Sequence, residues 1–239
     1  MNDPLPLSPL FTPTAQRPLL GMAVLVVEDS RFASDALRMM CVRSGARIRR
    51  ADSLAAAHRH LKTYMPSVVI VDLGLPDGSG TELIEELAQA TPRVEVLLAT
   101  SGDDFSEEAA MAAGADGFIA KPLTGLAQFQ SEILSRLPKD RQPKGPRRLP
   151  EDVMEADPVA LRDDLLHASD TLSTHPGDAH VVDYVAQFLS SIAHSARDDA
   201  LLGAVKTVSA AQHSGAELAK DVSRLNDLLK HRLEETAVI

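Results

Sequence analysis

Two stretches of this 239-residue sequence decide its fold: VLVVEDS at residues 24–30 and VVIVDLGLPDGSG at residues 68–80. Each begins with a nearly continuous run of β-branched and leucine residues, which is typical of a strand buried on both faces of a parallel sheet. Shorter apolar runs recur at residues 46–50, 94–99 and 117–120. Helical patterns separate the runs, at 31–44, 53–65, 80–91, 105–114 and 123–136. This five-fold alternation predicts a doubly wound α/β fold with a parallel sheet.

Polar side chains follow four of the predicted strands, and parallel strands bring their carboxyl ends to one edge of the sheet. The set is Glu28, Asp29, Asp72, Thr100 and Lys121. The carboxylates concentrate negative charge, which calls for a hard cation with oxygen ligands, and Mg²⁺ fits best. We expect the metal to keep Asp72 an anionic nucleophile in phosphoryl transfer, with the Gly74 carbonyl as a further ligand. Lys121 and Thr100 would each bind one phosphoryl oxygen.

Each of these residues alone also has a structural explanation. Asp29 is a candidate N-cap of the helix that follows it, Thr100 a core threonine and Lys121 a solvated side chain. Four motifs that agree in order and spacing favour the functional interpretation instead. They are VLVVEDS, VDLGLPDGSG, LLATSGD and GFIAKP.

This set of motifs resembles the receiver family of two-component response regulators. The resemblance implies a flavodoxin-like, five-stranded sheet of order 2-1-3-4-5 over residues 21–138. It implies that Asp72 is the phosphoacceptor, that Glu28 and Asp29 are the acidic metal pair, and that Lys121 binds phosphate. Thr100 and Phe118 take the positions of the family's switch residues. The implied partner is a cognate histidine kinase or phosphotransfer protein.

The rest of the chain divides by composition. Residues 1–20 contain five prolines and are expected to form an extended tail. Residues 139–150 are basic and Pro-rich, and they predict a linker. Residues 151–239 are helical in pattern throughout, with predicted helices at 158–173, 179–195 and 198–213 and a fourth beyond Gly215. We expect an all-α bundle of about four helices that acts as an output or interaction domain.

The charge of this last region excludes the commonest outputs. Residues 151–239 carry seven Lys or Arg against sixteen Asp or Glu, whereas a DNA-binding face needs clustered positive charge. No signature of an enzymatic output is found, so we expect neither DNA binding nor a separate enzyme. The seam of Leu218, Val222, Leu225 and Leu229 is more typical of a bundle core than of a coiled-coil homodimer.

Six of the eight histidines lie in the helical region, which raises the alternative of a histidine phosphotransfer bundle. His194 has Arg197 at the offset where such bundles carry a lysine, but the following glycine is absent. Asp198 and Asp199 would repel a phosphoryl group. The overall architecture resembles that module loosely, and the motif does not. An active His194, or a degenerate bundle of related shape, therefore stays an alternative.

Composition fits a cytoplasmic signalling protein. The net charge is −10, and no apolar run approaches the length of a membrane span. The single cysteine, Cys41, suits a reducing compartment and lies in an apolar helical pattern, which predicts a buried thiol. The leading hypothesis is a response regulator whose phosphorylation changes the surface of the fourth helix, fifth strand and fifth helix. That surface is expected to contact the helical domain or a second copy; a phosphorylation-independent scaffold is the rival.

Overall fold

The computed structural model describes residues 12–103, 105–123, 125–145, 150, 157–175, 178–214 and 218–235, apart from the side chains of 213 and 214. The first part of the predicted tail, part of the predicted linker and Gly215 lie outside the described residues. The described chain forms an α/β part, up to residue 145, and a helical part from residue 157.

The α/β part is built on a parallel sheet of five strands. They are β1 (Ala23–Val27), β2 (Arg47–Ala51), β3 (Val68–Asp72), β6 (Val96–Ser101) and β7 (Gly117–Ala120). Their order is β2-β1-β3-β6-β7. A short antiparallel hairpin, β4 (Gly74–Leu75) and β5 (Gly78–Ser79), follows β3 outside this sheet. Without the hairpin, the order is the predicted 2-1-3-4-5, so the predicted doubly wound sheet is confirmed.

Five helices cover the two faces of this sheet. They are α1 (Arg31–Arg43), α2 (Leu54–Leu61), α3 (Gly80–Gln89), α4 (Ser106–Ala112) and α5 (Leu126–Leu134). Helices α1 and α5 pack on one face around Met40, Phe129 and Ile133, while α2, α3 and α4 pack on the other. Every residue of β3 is buried, which explains its unbroken apolar sequence.

The α/β part extends beyond both predicted boundaries. Leu19 is fully buried in the core, and its N–H donates to the Ser44 carbonyl, so the residues just before 21 belong to this part rather than to an extended tail. At the other end, Lys139–Arg141 forms a 3₁₀ helix, and Arg141 pairs with Glu95 at 3.0 Å. Apolar burial and an ion pair thus hold segments that composition alone predicted to be extended.

The helical part contains α6 (Pro158–Thr174), α7 (Ala179–Ala196), α8 (Asp199–Ser214) and α9 (Leu218–Glu235). These helices share one apolar core, and α6 also packs on α9, which closes the bundle. Leu225 and Leu229 are buried in that core, as the seam predicted. None of the described helices is both long and apolar enough to span a membrane.

The helical part packs on α1 and on β4. This differs from the expectation that the surface of the fourth helix, fifth strand and fifth helix (here α4, β7 and α5) would receive it. The observed contact lies instead at the carboxyl edge of the sheet, because α6 and α7 present polar side chains that pair with groups there.

Candidate phosphoacceptor site

The predicted site residues lie together at the carboxyl edge of the sheet. Glu28 and Asp29 follow β1 directly, Asp72 ends β3, Thr100 lies at the same register on β6, and Lys121 follows β7. Glu28, Asp72, Thr100 and Lys121 are each at most 6% exposed. The structure therefore brings together all the side chains that were expected to converge.

The chain around Asp72 is shaped by the turn that follows it. A β-carbon at Gly80 would overlap the Asp72 carbonyl, so only glycine allows α3 to begin this close to the end of β3. Asp77, in the hairpin, accepts hydrogen bonds from the N–H groups of Leu54 and Ala55 at 2.8 and 2.9 Å. These contacts fix the loop that carries Gly74 against the start of α2.

Lys121 is the cation at the centre of the site. Its Nζ lies 2.6 Å from Glu28 Oε2 and donates to Asp72 Oδ2 at 2.9 Å. The third partner is Ser191 of α7, whose Oγ accepts at 2.7 Å. An ammonium has three donors, so these contacts use all of them. The Lys121–Pro122 peptide bond is cis, as expected.

The carboxylates carry more negative charge than one lysine neutralises. Burial and the nearby Asp72 raise the pKa of Glu28 well above its usual range. The same two causes raise the pKa of Asp29 to about 7. Burial opposes the charge on Lys121, but Asp72 and Glu28 outweigh it and raise the pKa of the ammonium. A divalent cation would relieve this excess of negative charge.

The three carboxylates fit a metal ion. One oxygen from each of Glu28, Asp29 and Asp72 lies within 4.8 Å of the others. Asp29 Oδ1 is buried and has no hydrogen-bond partner among the described residues. Asp29 does not cap α1, because that N-cap is Ser30, whose Oγ accepts from the Ala33 N–H at 3.0 Å. An all-oxygen donor set with one unpaired buried oxygen suits Mg²⁺.

The two predicted switch residues lie next to the site. The Thr100 hydroxyl donates to the Ile119 carbonyl of β7 at 2.8 Å, so its hydrogen bond goes to the neighbouring strand. Phe118 is half-buried against the α2–α3–α4 face of the sheet. Their role as a switch stays a prediction.

Three polar side chains of the helical part contact the site, and the sequence did not identify them. Asp164 of α6 accepts from the Ser30 hydroxyl at 2.7 Å and from the N–H groups of Arg31 and Phe32 at 3.0 Å. Tyr184 of α7 donates its hydroxyl hydrogen to Asp29 Oδ2 at 2.8 Å. The third is Ser191, already described. The one available signal was a polar residue within an apolar helical face, which is weak.

Glycines let α7 approach the site closely. A β-carbon on Gly102 would lie 3.0 Å from Cα of Ser191 and 3.4 Å from Cδ2 of His194. A β-carbon on Gly74 would lie 3.7 Å from Cβ of Gln187. Helix α7 therefore crosses directly over the loops that follow β3 and β6.

Comparison with known proteins assigns the α/β part. Residues 24–132 match the family described as the response regulator receiver domain. These residues are a response regulator receiver domain. Mg²⁺ binding and phosphorylation are typical of that family, and the acidic cluster described above lies within the matched range. The helical part is not identified by this match.

Among curated relatives of the receiver domain is the KDP operon transcriptional regulatory protein KdpE of Escherichia coli K12. It is 34% identical over 110 residues, which cover 46% of this chain and 48% of KdpE. The virulence transcriptional regulatory protein PhoP of Salmonella typhimurium 14028s is 32% identical over 102 residues, 42% of this chain and 46% of PhoP. The chain thus spans about half the length of each of these relatives.

Two solved structures that resemble the receiver domain are also single-domain chains in coverage. The CheY-like receiver domain from Methylobacillus flagellatus is 25% identical, with a TM-score of 0.44, over 48% of this chain and 98% of that one. The chemotaxis response regulator CheY4 of Vibrio cholerae is 18% identical, with a TM-score of 0.45, over 48% and 98% respectively.

Proposed function

We propose that this chain is a cytoplasmic response regulator that accepts a phosphoryl group on Asp72 and thereby switches a helical protein-interaction output. The observation that carries the proposal is the buried cluster in which Lys121 bridges Asp72 and Glu28 while Asp29 Oδ1 stays unpaired. This arrangement provides a nucleophile, a counter-cation and an incomplete set of metal ligands in one place. The phosphodonor would be a histidine kinase or a phosphotransfer protein.

The proposed reaction is a direct phosphoryl transfer to a carboxylate. An Asp72 oxygen forms the new bond to phosphorus, and the bond from phosphorus to the donor's leaving group breaks. Mg²⁺, held by Glu28, Asp29, Asp72 and the Gly74 carbonyl, would neutralise charge on the phosphoryl oxygens. Lys121 would bind one of those oxygens. Thr100 would turn from the Ile119 carbonyl to another oxygen, and Phe118 would follow it inward.

The output is proposed to bind protein rather than DNA. KdpE and PhoP are named as transcriptional regulators, but the chain covers only about half of each. From residue 151 onward the chain has seven basic and sixteen acidic residues, so phosphate backbones would be repelled. We therefore expect no affinity for duplex DNA at physiological salt, and phosphorylation-dependent binding of another protein.

Intact mass spectrometry tests the proposal. The full chain is incubated with Mg²⁺ and acetyl phosphate, beside Asp72→Asn and a matched control, Asp77→Asn, in the neighbouring hairpin. A single phosphoryl adduct on wild type and Asp77→Asn that is lost in Asp72→Asn supports the proposal. If no adduct forms and calorimetry also detects no Mg²⁺ binding, the phosphorylation-independent scaffold becomes the better description.

A second candidate function is favoured by one contact. His194 lies on α7, the helix that crosses the site, and its ring comes close to Gly102. The helical part would then pass the phosphoryl group onward as a phosphotransfer bundle. Acid-labile, base-stable phosphate that follows labelling of Asp72 and disappears in His194→Gln would support this role. Its absence, with Asp72 labelled, would leave only the first candidate.

A further inference from the structure

We infer that helix α7 is a built-in cover of the phosphoacceptor site, and that its docking and the phosphorylation of Asp72 exclude one another. This inference rests on the proposed function, because it concerns the regulation of that same site. The cover is part of the chain itself, so it acts at a high effective concentration whenever the two parts can meet.

The cover is attached through three contacts to three different groups of the receiver domain. Asp164 holds the N-terminus of α1 with three hydrogen bonds, and its carboxylate is only 3% exposed. Tyr184 holds Asp29, and Ser191 holds Lys121. Two of these three groups, Asp29 and Lys121, take part in the proposed chemistry. Docking is therefore coupled to the state of the site.

Competition for Lys121 gives the coupling its direction. All three donors of the ammonium are engaged by Glu28, Asp72 and Ser191. A phosphoryl oxygen on Asp72 needs one of them, and the Ser191 hydroxyl is a neutral acceptor that an anionic oxygen outcompetes. Binding of the phosphoryl oxygen thus displaces Ser191. By linkage, a docked Ser191 lowers the affinity of the site for the phosphoryl group by the same factor.

Access for a small donor does not remove this competition. A cavity of about 380 Å³ opens beside Asp72, between Gly102 and α7, and it is large enough for acetyl phosphate. Asp72 itself is only 4% exposed, so a protein donor needs α7 to move away. A small donor therefore isolates the contribution of Lys121 from that of simple obstruction.

A reversible lock tests the inference in the full chain. The β-carbons of residues 74 and 187 would be 3.7 Å apart, within the range of a disulfide, so Gly74→Cys with Gln187→Cys can join α7 to the receiver domain. The native Cys41 is buried and does not compete. Labelling by acetyl phosphate and Mg²⁺ is compared between the oxidised and reduced forms of this one variant, so the effects of the substitutions cancel. We expect labelling of the oxidised form to be about tenfold slower.

Weakening the cover should have the opposite effect. Asp164→Ala removes three hydrogen bonds at the interface while Ser30 still caps α1, and we expect faster labelling, by roughly tenfold for the loss of one charged hydrogen bond. Asp163→Ala is the matched control, since its ion pair with Arg31 is exposed and should change the rate little. Hydrogen exchange gives an independent readout: the amides of Arg31 and Phe32 should lose protection when wild type is phosphorylated.

The possible outcomes separate the inference from the proposed function. Equal labelling of oxidised and reduced lock, or slower labelling of Asp164→Ala than of wild type, overturns the cover while leaving Asp72 as phosphoacceptor. Failure of every form to be labelled, including the reduced lock and Asp164→Ala, overturns the proposed function and the cover with it. Slow oxidised lock, fast Asp164→Ala and exposed α1 amides together support the cover.

Discussion

Replacing Lys121 with methionine should destabilise the protein in a way that depends on pH. Methionine keeps the apolar stem and much of the volume of lysine, so the main change is the loss of one buried positive charge. Glu28 and Asp72 then face each other and Asp29 without the ammonium that contacts two of them at 2.6 and 2.9 Å. Buried carboxylates without a partner lower their free energy by taking up a proton.

The cost of that proton sets the size of the effect. Protonating one carboxyl group with an ordinary pKa near 4 costs about 1.4 kcal/mol for each pH unit above that value. The limit is therefore about 5 kcal/mol at pH 7.5 and about 2 kcal/mol at pH 5.5. Removing one partner of a buried ion pair usually costs about 3–5 kcal/mol. We expect Lys121→Met to lower the free energy of unfolding by about 3 kcal/mol at pH 7.5 and by about 1 kcal/mol at pH 5.5.

The direction of the pH dependence follows from linkage. In the variant, the carboxyl pKa is raised in the folded state above its unfolded value. The folded protein therefore holds a proton that the unfolded chain releases, and stability present at low pH is lost as the pH rises through the folded pKa. Added Mg²⁺ should restore part of the loss at pH 7.5, since it supplies the missing positive charge and binds only the folded chain.

Urea unfolding followed by far-UV circular dichroism measures these differences. Lys62→Met, at an exposed lysine beyond the end of α2, is the control and should change the free energy of unfolding by less than about 0.5 kcal/mol. An equal loss for Lys121→Met at both pH values would refute the reasoning, because it would mean that packing rather than charge is lost. Absence of any Mg²⁺ effect at pH 7.5 would refute the charge compensation.

Three further predictions concern other parts of the chain. Burial raises the pKa of Cys41 to about 12, so iodoacetamide at pH 8 should leave the folded thiol unmodified and label the urea-unfolded chain; mass spectrometry distinguishes the two. Leu19→Ala should lower the free energy of unfolding by about 2–4 kcal/mol, against little change for the exposed Val42→Ala, if residue 19 belongs to the core. Arg232→Gln should cost about 1 kcal/mol in urea unfolding, because the guanidinium donates to both oxygens of a partly exposed Asp198 and joins α9 to the start of α8; no change would mean that solvent screens the pair.

The receiver fold was predictable because its signals are local and mutually consistent. Continuous β-branched runs can be read directly as buried parallel strands, and the rule that strand ends share one edge then places Glu28, Asp72 and Lys121 together. The helices of the second part were predictable for a similar reason, since 3.6-residue periodicity survives without tertiary context. The missed boundary at Leu19 has an equally physical cause: prolines forbid regular structure before it but do not prevent one leucine from being buried.

The contact between the two parts was not predictable from such signals. Asp164 follows another aspartate in the sequence LRDDLLH, and either acid would ordinarily be assigned to a solvated helix face. Its partners are two backbone N–H groups and a hydroxyl at the start of α1, which every helix offers and no sequence pattern marks. Ser191 and Tyr184 are likewise ordinary helix residues until α7 is placed over Asp72.

Where the contact falls gives it functional weight. A helical domain that packed on the back of the sheet would have left the chemistry of the receiver domain unchanged. Here the polar contacts of α7 are made to Asp29 and Lys121, a proposed metal ligand and the proposed phosphate-binding lysine. Any ligand that alters those two side chains must therefore alter the free energy of docking, and docking must alter the affinity for that ligand equally. The interface can be weakened at Asp164 without touching either side chain, which makes this coupling measurable in the intact protein.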